Sequence, residues 1–431
     1  MRTVLKEIAF FRLHAYSMRI LLRTNMIYAL VLPVIELFIG AYIIRNSSDF
    51  SLVMVFQLAQ STGIPLTFMV NGFLLKRFPV SRLYALGMFL SAISMATMMF
   101  QQQLQVIGVS IAGFIMGVSY GFFWANRIFL TLTTTKDEER NYYYGLETFF
   151  NTMAFIIMPS LAGSFIAASR HNAWFGGNIN TAYYVLTGAV FLLTIAASWL
   201  AQRGHFRNPP AERFLFKTFH PLWMKMLRLA TLKGIAQGYI ITAPVMLVMK
   251  LVGEEGALGV IQSIGAFLSA VLLYTLGRTT GAQHRIKIFA AGLSLFVVGA
   301  AANASLYSAT GAIIFIACLV FARPLLDLAY FPLQLSVIEW VSAKEKRNQF
   351  AYIFSHELGT YIGRLFGCSL FILLARYTGE DVALRYALLV IALIQFVSIW
   401  VARSIKKDKA WKEPVVSNQV AVDKLKEPIE L

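Results

Sequence analysis

The chain alternates long apolar runs with short polar stretches, and the length of the runs decides what they are. Apolar segments occupy residues 25–44, 51–75, 83–101, 105–131, 144–168 and 181–201, then 227–250, 257–277, 286–307, 311–338, 350–375 and 383–403. A helix rising about 1.5 Å per residue lets each of them cross about 30 Å of hydrocarbon. The pattern therefore predicts an all-α membrane protein with twelve transmembrane helices in two sets of six. Ahead of the first run, residues 4–22 place Val4, Ile8, Phe11 and Ala15 on one face among Lys6, Arg12 and Arg19. That pattern predicts an interfacial helix.

The polar elbows repeat as the apolar runs do. KDEERNY (Lys136 to Tyr142) separates the fourth and fifth runs, and KEKRNQF (Lys344 to Phe350) separates the tenth and eleventh, so that Arg140 answers Arg347 about 207 residues on. A repeat of that length exceeds the periods of solenoids and propellers and points to two homologous halves. The division expected is a basic interfacial segment at 1–24, a six-helix bundle at 25–203, a linker at 204–224, a second bundle at 225–405 and a polar, disordered tail at 406–431. Pseudo-symmetry between the bundles would bring the two elbows to equivalent places at one mouth of the molecule.

Lys and Arg collect in every second loop, at Lys76 and Arg77, Lys136 and Arg140, Arg203 to Arg228, Arg285 and Lys287, Lys344 to Arg347, and Arg403 to Lys412. Basic flanks resist translocation. Both termini are accordingly expected in the cytoplasm, with the protein in a plasma (bacterial inner) membrane. The intervening loops, such as RNSSDF after Ile44 and SRHNAWFGGNIN after Ala168, are expected outside.

Composition agrees and excludes rivals. With 58% hydrophobic and 14% charged residues, the chain lacks the polar surface a soluble globule of 431 residues needs. Its net charge of +17 lies in short interhelical clusters, not on one patch, so it argues for membrane topology and against nucleic acid. Cys318 and Cys368 are the only cysteines, each inside an apolar run. Neither a disulfide framework nor a metal knuckle is available to them. No phosphate-binding loop, HExxH or nucleophile elbow occurs, so the sequence predicts no cofactor, no metal and no catalytic residue, and any energy for work comes from a gradient.

Charge inside hydrocarbon costs roughly 2.5 to 3.5 kcal/mol on insertion scales, which makes ionisable residues within runs informative. Glu36 lies about 12 residues into the first run, near mid-membrane. Arg323 and Asp327 share a face of the tenth run with Tyr330 and Gln334. Glu357, Tyr361 and Arg364 form a second stripe in the eleventh, beside His356. Two readings stay open for these charges: binding of substrate or protons, or structural ion pairs joining Asp327 to Arg323 or Arg364, and Arg364 to Glu357.

Twelve spans in two sixes joined by a basic linker resemble the major facilitator superfamily of secondary transporters, over nearly the whole chain. NGFLLKRFPVSRL (Asn71 to Leu83) resembles the family's gating motif at Gly72, Leu74, Arg77 and Arg82, but Lys76 replaces its acid and Pro79 its glycine. MPSLAG (Met158 to Gly163) is similar to an antiporter signature at Pro159 and Gly163. The resemblance implies that spans one, four, seven and ten line a central cavity, with two, five, eight and eleven beside them. Substrate or proton candidates are then Glu36, Arg323, Asp327, Glu357 and Arg364. Supporting polar groups are Gln57, Gln60, Asn151, Tyr330, Gln334, His356 and Tyr361. Gating candidates are Gly72, Arg77, Arg82, Arg140, Glu147 and Arg347, and Pro159 with Gly163 mark a helix bend. Pro33 and Pro244 suggest paired bends in the first helix of each half. The implied function is proton-coupled alternating-access transport of a small organic solute by a monomer in the lipid bilayer, with export slightly favoured. A transporter-fold receptor or regulatory protein is the alternative.

Overall fold

The structure, a computed structural model, describes residues 11–412 except 102, 136, 205, 207, 209–214 and 280–283. Among the described residues twelve helices are long and apolar enough to cross a membrane. They are α1 (Tyr16–Ser47), α2 (Phe50–Leu74), α3 (Val80–Met99), α4 (Val106–Thr134), α5 (Asp137–His171), α6 (Ile179–Gln202), α7 (Pro221–Leu251), α8 (Glu255–Thr279), α9 (Arg285–Leu306), α10 (Ala309–Glu345), α11 (Gln349–Thr378) and α12 (Glu380–Trp411). Their ends follow local chemistry. Asp49, Asn178, Ser308 and Asn348 accept a backbone N–H of the first turn of α2, α6, α10 and α11, satisfying donors that a helix start leaves free.

Two expectations change on contact with the structure. Residues from Tyr16 onward belong to α1 and not to a separate interfacial helix, because Met18, Ile20, Leu21 and Leu22 are buried against protein. Pro33 and Pro244 do not act alike. Helix α1 runs unbroken through Pro33, whereas α7 is interrupted at Ile241 and Thr242, where Pro244 follows as a residue without an N–H. The Thr242 hydroxyl donates instead to the Tyr239 carbonyl at 3.1 Å. The expected interfacial residues 4–10, Pro209 and Pro210 of the linker, residues 280–283 of the Leu276 to Arg285 loop and the tail beyond residue 412 lie outside the described residues. The side chain of Arg140 does so too.

The largest contacts between the halves are made by two helix pairs, α2 with α11 and α5 with α8. The second is a crossing of small residues. A Cβ at Gly259 would sit 2.2 Å from the Pro159 carbonyl oxygen, and one at Gly163 2.5 Å from that of Glu255. Without a hydrophobic drive between helices in lipid, such backbone approach supplies the packing energy. Ser263 accepts the Ser160 N–H across the same crossing at 3.0 Å. Pro159 and Gly163, expected as a bend, therefore also form a seam between halves.

Twelve crossings return the chain to the face it started from, so the described ends share one face of the molecule. At the opposite face, polar contacts clamp the halves together. Arg45 at the end of α1 grips Glu255 at the start of α8 with bonds of 2.9 and 2.7 Å, and also donates to the Gly253 carbonyl at 3.2 Å. Tyr183 of α6 donates to the same carboxylate at 3.2 Å. The Glu380 carboxylate accepts the Phe50 N–H at 2.9 Å, joining α12 to α2. Within the second half Lys250 meets Asp381 at 3.0 Å, and Tyr307 donates to Asp381 at 2.9 Å. On the face bearing the ends, aromatic rings meet instead. Phe350 of α11 stacks on Phe68 of α2 at 6.3 Å and touches Phe129 of α4 at 5.0 Å, with Phe354 buried beside them.

Candidate functional site

Between the clamp and the aromatic cluster lie two adjoining cavities. The larger, about 450 Å³, is walled by α1, α5, α7, α8 and α10 and includes Glu36, Asn151, Pro159, Pro244, Gln262, Arg323 and Asp327. The smaller, about 170 Å³, lies among α1, α2, α4, α7 and α10 and includes Glu36, Phe56, Gln57, Gln60, Met116, Tyr120, Thr242 and Arg323. Glu36, Ile241 and Arg323 border both. The break in α7 sits in this shared wall, where its loosened backbone borders a cavity and not lipid.

Glu36 and Arg323 come from opposite halves and are both exposed within the protein's interior space. They attract each other across this space without closing to an ion pair. Tyr120, whose buried hydroxyl approaches the Glu36 carboxylate, stands on the Glu36 side of the smaller cavity.

Arg323 does not pair with Asp327, although they lie four apart on one helix. Asp327 is met by Lys233 of α7, 3.5 Å away, a residue the sequence reading did not single out. The Lys233 ammonium also lies 4.0 Å from the ring centre of Tyr330 and 3.9 Å from that of Phe331. Cation–π attraction of this kind holds a charge that is largely desolvated. Arg364 pairs with Glu357 on its own helix at 2.8 Å and reaches Gln237 of α7 at 3.1 Å, leaving its Nε buried and unpartnered. Tyr330 and His356 share a hydrogen bond of 2.6 Å between α10 and α11. Thus α7, α10 and α11 are stitched by polar contacts around Lys233, which interacts electrostatically with Asp327, Arg364 and Glu357.

The remaining predicted residues sort by place. Gln57 and Gln60 line the smaller cavity and Asn151 the larger. Tyr361 receives a 3.3 Å hydrogen bond from Thr62, linking α11 to α2, and Gln334 is buried. Glu147 lies away from the cavities in a buried network of the first half. Arg127 bridges to it at 2.6 Å, Tyr143 donates at 3.1 Å, and Asn25 donates to both Glu147 and Tyr143 while accepting from Tyr84. In the gating motif Gly72 is half-buried while Arg77 and Arg82 are exposed. That loop is held by Asn208 of the linker, which donates to the Leu75 and Phe78 carbonyls, each at 2.9 Å, and accepts the Val80 N–H at 2.8 Å. Arg347 bonds the Thr218 carbonyl at 2.5 Å and Glu345 at 3.2 Å.

The Major Facilitator Superfamily profile matches residues 22–338. The uncharacterized protein YqgE of Bacillus subtilis (strain 168) is 23% identical over 383 residues, 86% of either chain. A protein encoded in the sodM 3' region of Geobacillus stearothermophilus is 30% identical over 146 residues, 34% of this chain and 68% of that one. Among solved structures, a bacterial homologue of the lysosomal transporter Spinster, in an inward-facing and unoccupied conformation, superposes with a TM-score of 0.63 at 10% identity over 91% of this chain and 98% of that chain. A bacterial metal transporter superposes with a TM-score of 0.62 at 12% identity over 91% and 99%. The peptide transporter POT gives 0.62 at 12% over 90% and 94%.

Proposed function

The chain belongs to the Major Facilitator Superfamily of membrane transporters, and on that premise we propose that it moves a small organic solute by proton-coupled alternating access. The observation that carries this reading is a charged cavity walled by both halves and clamped shut at one face by Arg45 and Glu255. Rocking of the halves about the α5–α8 and α2–α11 seams exchanges the clamp for the aromatic cluster and turns the cavity to the other side. A bilayer-spanning protein with this cavity needs no cofactor to do so.

Proton coupling is assigned to the Lys233–Asp327 pair. Asp327 is the half-exposed member, with 45% of its side chain accessible against 18% for Lys233. Water reaches the carboxylate from the cavity, and a proton there removes the charge that holds Lys233. Freed, Lys233 can release α7 from α10. Glu357 with Arg364 serves as a fixed pair that keeps α11 against α7. Arg323 holds an anionic group of the solute. The Lys and Arg asymmetry supports a cytoplasmic location for the ends, and with them the aromatic cluster. Pro159 and Gly163, matching the antiporter signature, favour export.

Reconstituted vesicles test the reading. A solute that stabilises the purified protein should accumulate against its gradient when a pH difference is imposed, and should equilibrate without accumulating when it is not. Binding without any movement across the membrane would instead identify a transporter-fold receptor. Impermeant labelling checks orientation: a cysteine at Asn208 should stay unlabelled in intact cells and one at Gly176 should react.

A further inference from the structure

Resting on the transport reading, we propose that the solute is a zwitterion with an apolar body, its cationic group held by Glu36 and its anionic group by Arg323. Opposite charges from opposite halves face one space and do not meet. Each is exposed to the cavity, so the pair has room for something between them. The other charges nearby are already answered within the second half, Asp327 by Lys233 and Arg364 by Glu357. Glu36 and Arg323 attract each other across the open space without an ion-pair contact, and a ligand entering it can complete both charges.

The walls between them describe the rest of the solute. Ile39, Val53, Phe56, Met116 and Val245 give an apolar lining. Gln57, Gln60 and Thr242 stand among these residues, and the Tyr120 hydroxyl lies beside the Glu36 carboxylate. A zwitterion satisfies both charges at once. An anion leaves Glu36 unanswered, a cation leaves Arg323 unanswered, and a neutral molecule leaves both. Sites built around such groups reject analogues that leave one unpaired far more strongly than analogues that differ by a methylene.

The charges also sit on helices that separate when the molecule turns. Glu36 rides on α1 and Arg323 on α10. A zwitterion spanning them crosslinks the halves, and either charge alone does not. Recognition of the solute and closure around it are then the same event.

The test uses the full chain in detergent and three matched sets of probes: α- and ω-amino acids, their N-acetyl derivatives and their methyl esters. Thermal shift is read for wild type, Glu36→Gln and Arg323→Gln, with Glu36→Asp and Arg323→Lys as variants that keep the charge. At least one free amino acid should raise the wild-type Tm, its acetyl and ester forms should bind at least tenfold more weakly, and both neutralised variants should lose the response. Aspartate and lysine at these positions should retain part of it. An acetyl derivative binding wild type as tightly as its parent, or a free amino acid binding Glu36→Gln as it binds wild type, overturns the cationic half of the proposal. A methyl ester binding wild type as tightly as its parent, or a free amino acid binding Arg323→Gln as it binds wild type, overturns the anionic half. A set in which no free amino acid shifts the wild type overturns both. Vesicle counterflow with a stabilising amino acid keeps the two readings apart: selective binding without flux leaves the site assignment standing and removes the transporter.

Discussion

The two faces of the molecule are closed by different physics. Away from the chain ends, Arg45, Glu255, Tyr183 and the Gly253 carbonyl form a network in which Glu255 is almost wholly buried, 3% exposed, and Arg45 partly so, at 27%. On the face of the ends, the rings of Phe68, Phe129, Phe350 and Phe354 gather in an apolar cluster with Ala125. A network of this kind is specific in geometry and costly to leave half made. Ring contacts are tolerant, each worth about 0.5 to 1.5 kcal/mol beyond burial. One closure therefore behaves as a lock and the other as a latch, and both turn on the α5–α8 seam.

Glu255→Gln should have the largest effect, because it removes the charge that answers Arg45 from a nearly dry site. Breaking a buried pair costs about 3 to 5 kcal/mol, and Arg45's partial exposure places the loss at the lower end, about 3 kcal/mol. Since about 1.4 kcal/mol is tenfold in an equilibrium, the population open at that face should rise by about a hundredfold. Cysteines replacing Gln57 or Gln60 should become reactive to an impermeant reagent from the face away from the ends. Unchanged labelling at wild-type stability would show that Arg45 and Glu255 do not hold the face shut.

Phe350→Ala acts on the latch and should move labelling the opposite way. A core Phe→Ala change costs about 3 to 5 kcal/mol, much of it transfer from water. Here the ring leaves one apolar contact for a partly wet cleft, so about 2 kcal/mol is expected. Combining it with Glu255→Gln sharpens the comparison. If the closures are alternatives, the double variant should recover a near wild-type balance between faces while losing Tm relative to either single change. Two effects that add in one direction would mean that both contacts serve only stability.

How much of this was legible in the sequence differs between the faces. The helices were, because hydropathy over about twenty residues is fixed by the bilayer and needs no knowledge of neighbours. The family likeness also placed Glu36, Gln57, Gln60, Asn151, Arg323 and Asp327, which do border the cavities. The lock was not legible. Arg45 and Glu255 read as ordinary charges at helix ends, and their partnership depends on which ends meet in space. Lys233 was missed for a related reason: one lysine early in the seventh run reads as part of its basic flank, and only the turn of α7 toward α10 makes it a partner of Asp327. Helical spacing suggested Arg323 for that role. Four-residue spacing puts two side chains on one face without aiming them at each other, and here Asp327 meets Lys233 while Arg323 faces the cavity that Glu36 borders. Glu147 shows the converse, since depth alone assigned it to packing or gating and the structure finds it within the Arg127, Tyr143 and Asn25 network.

The smallest expected change in stability belongs to Asp327→Asn, and it bears most directly on what the lock and latch are for. The substitution keeps the shape of the side chain and removes its charge and its titration. Lys233 would retain Tyr330 and Phe331 beneath its ammonium. With 45% of the Asp327 side chain accessible, the pair is closer to an exposed one, and the loss should be about 1 kcal/mol or less. Function should change far more. If Asp327 carries the coupled proton, the variant should stay folded, exchange solute between the two sides, and lose accumulation driven by a pH gradient. Its balance between the two faces should also stop responding to pH, whereas Glu255→Gln and Phe350→Ala should shift that balance and leave its pH response in place. A loss of several kilocalories per mole would make Asp327 a structural partner of Lys233. Wild-type accumulation in a stable Asp327→Asn protein would exclude both roles and leave Glu36 as the carboxylate to test for the proton, by the same pair of measurements.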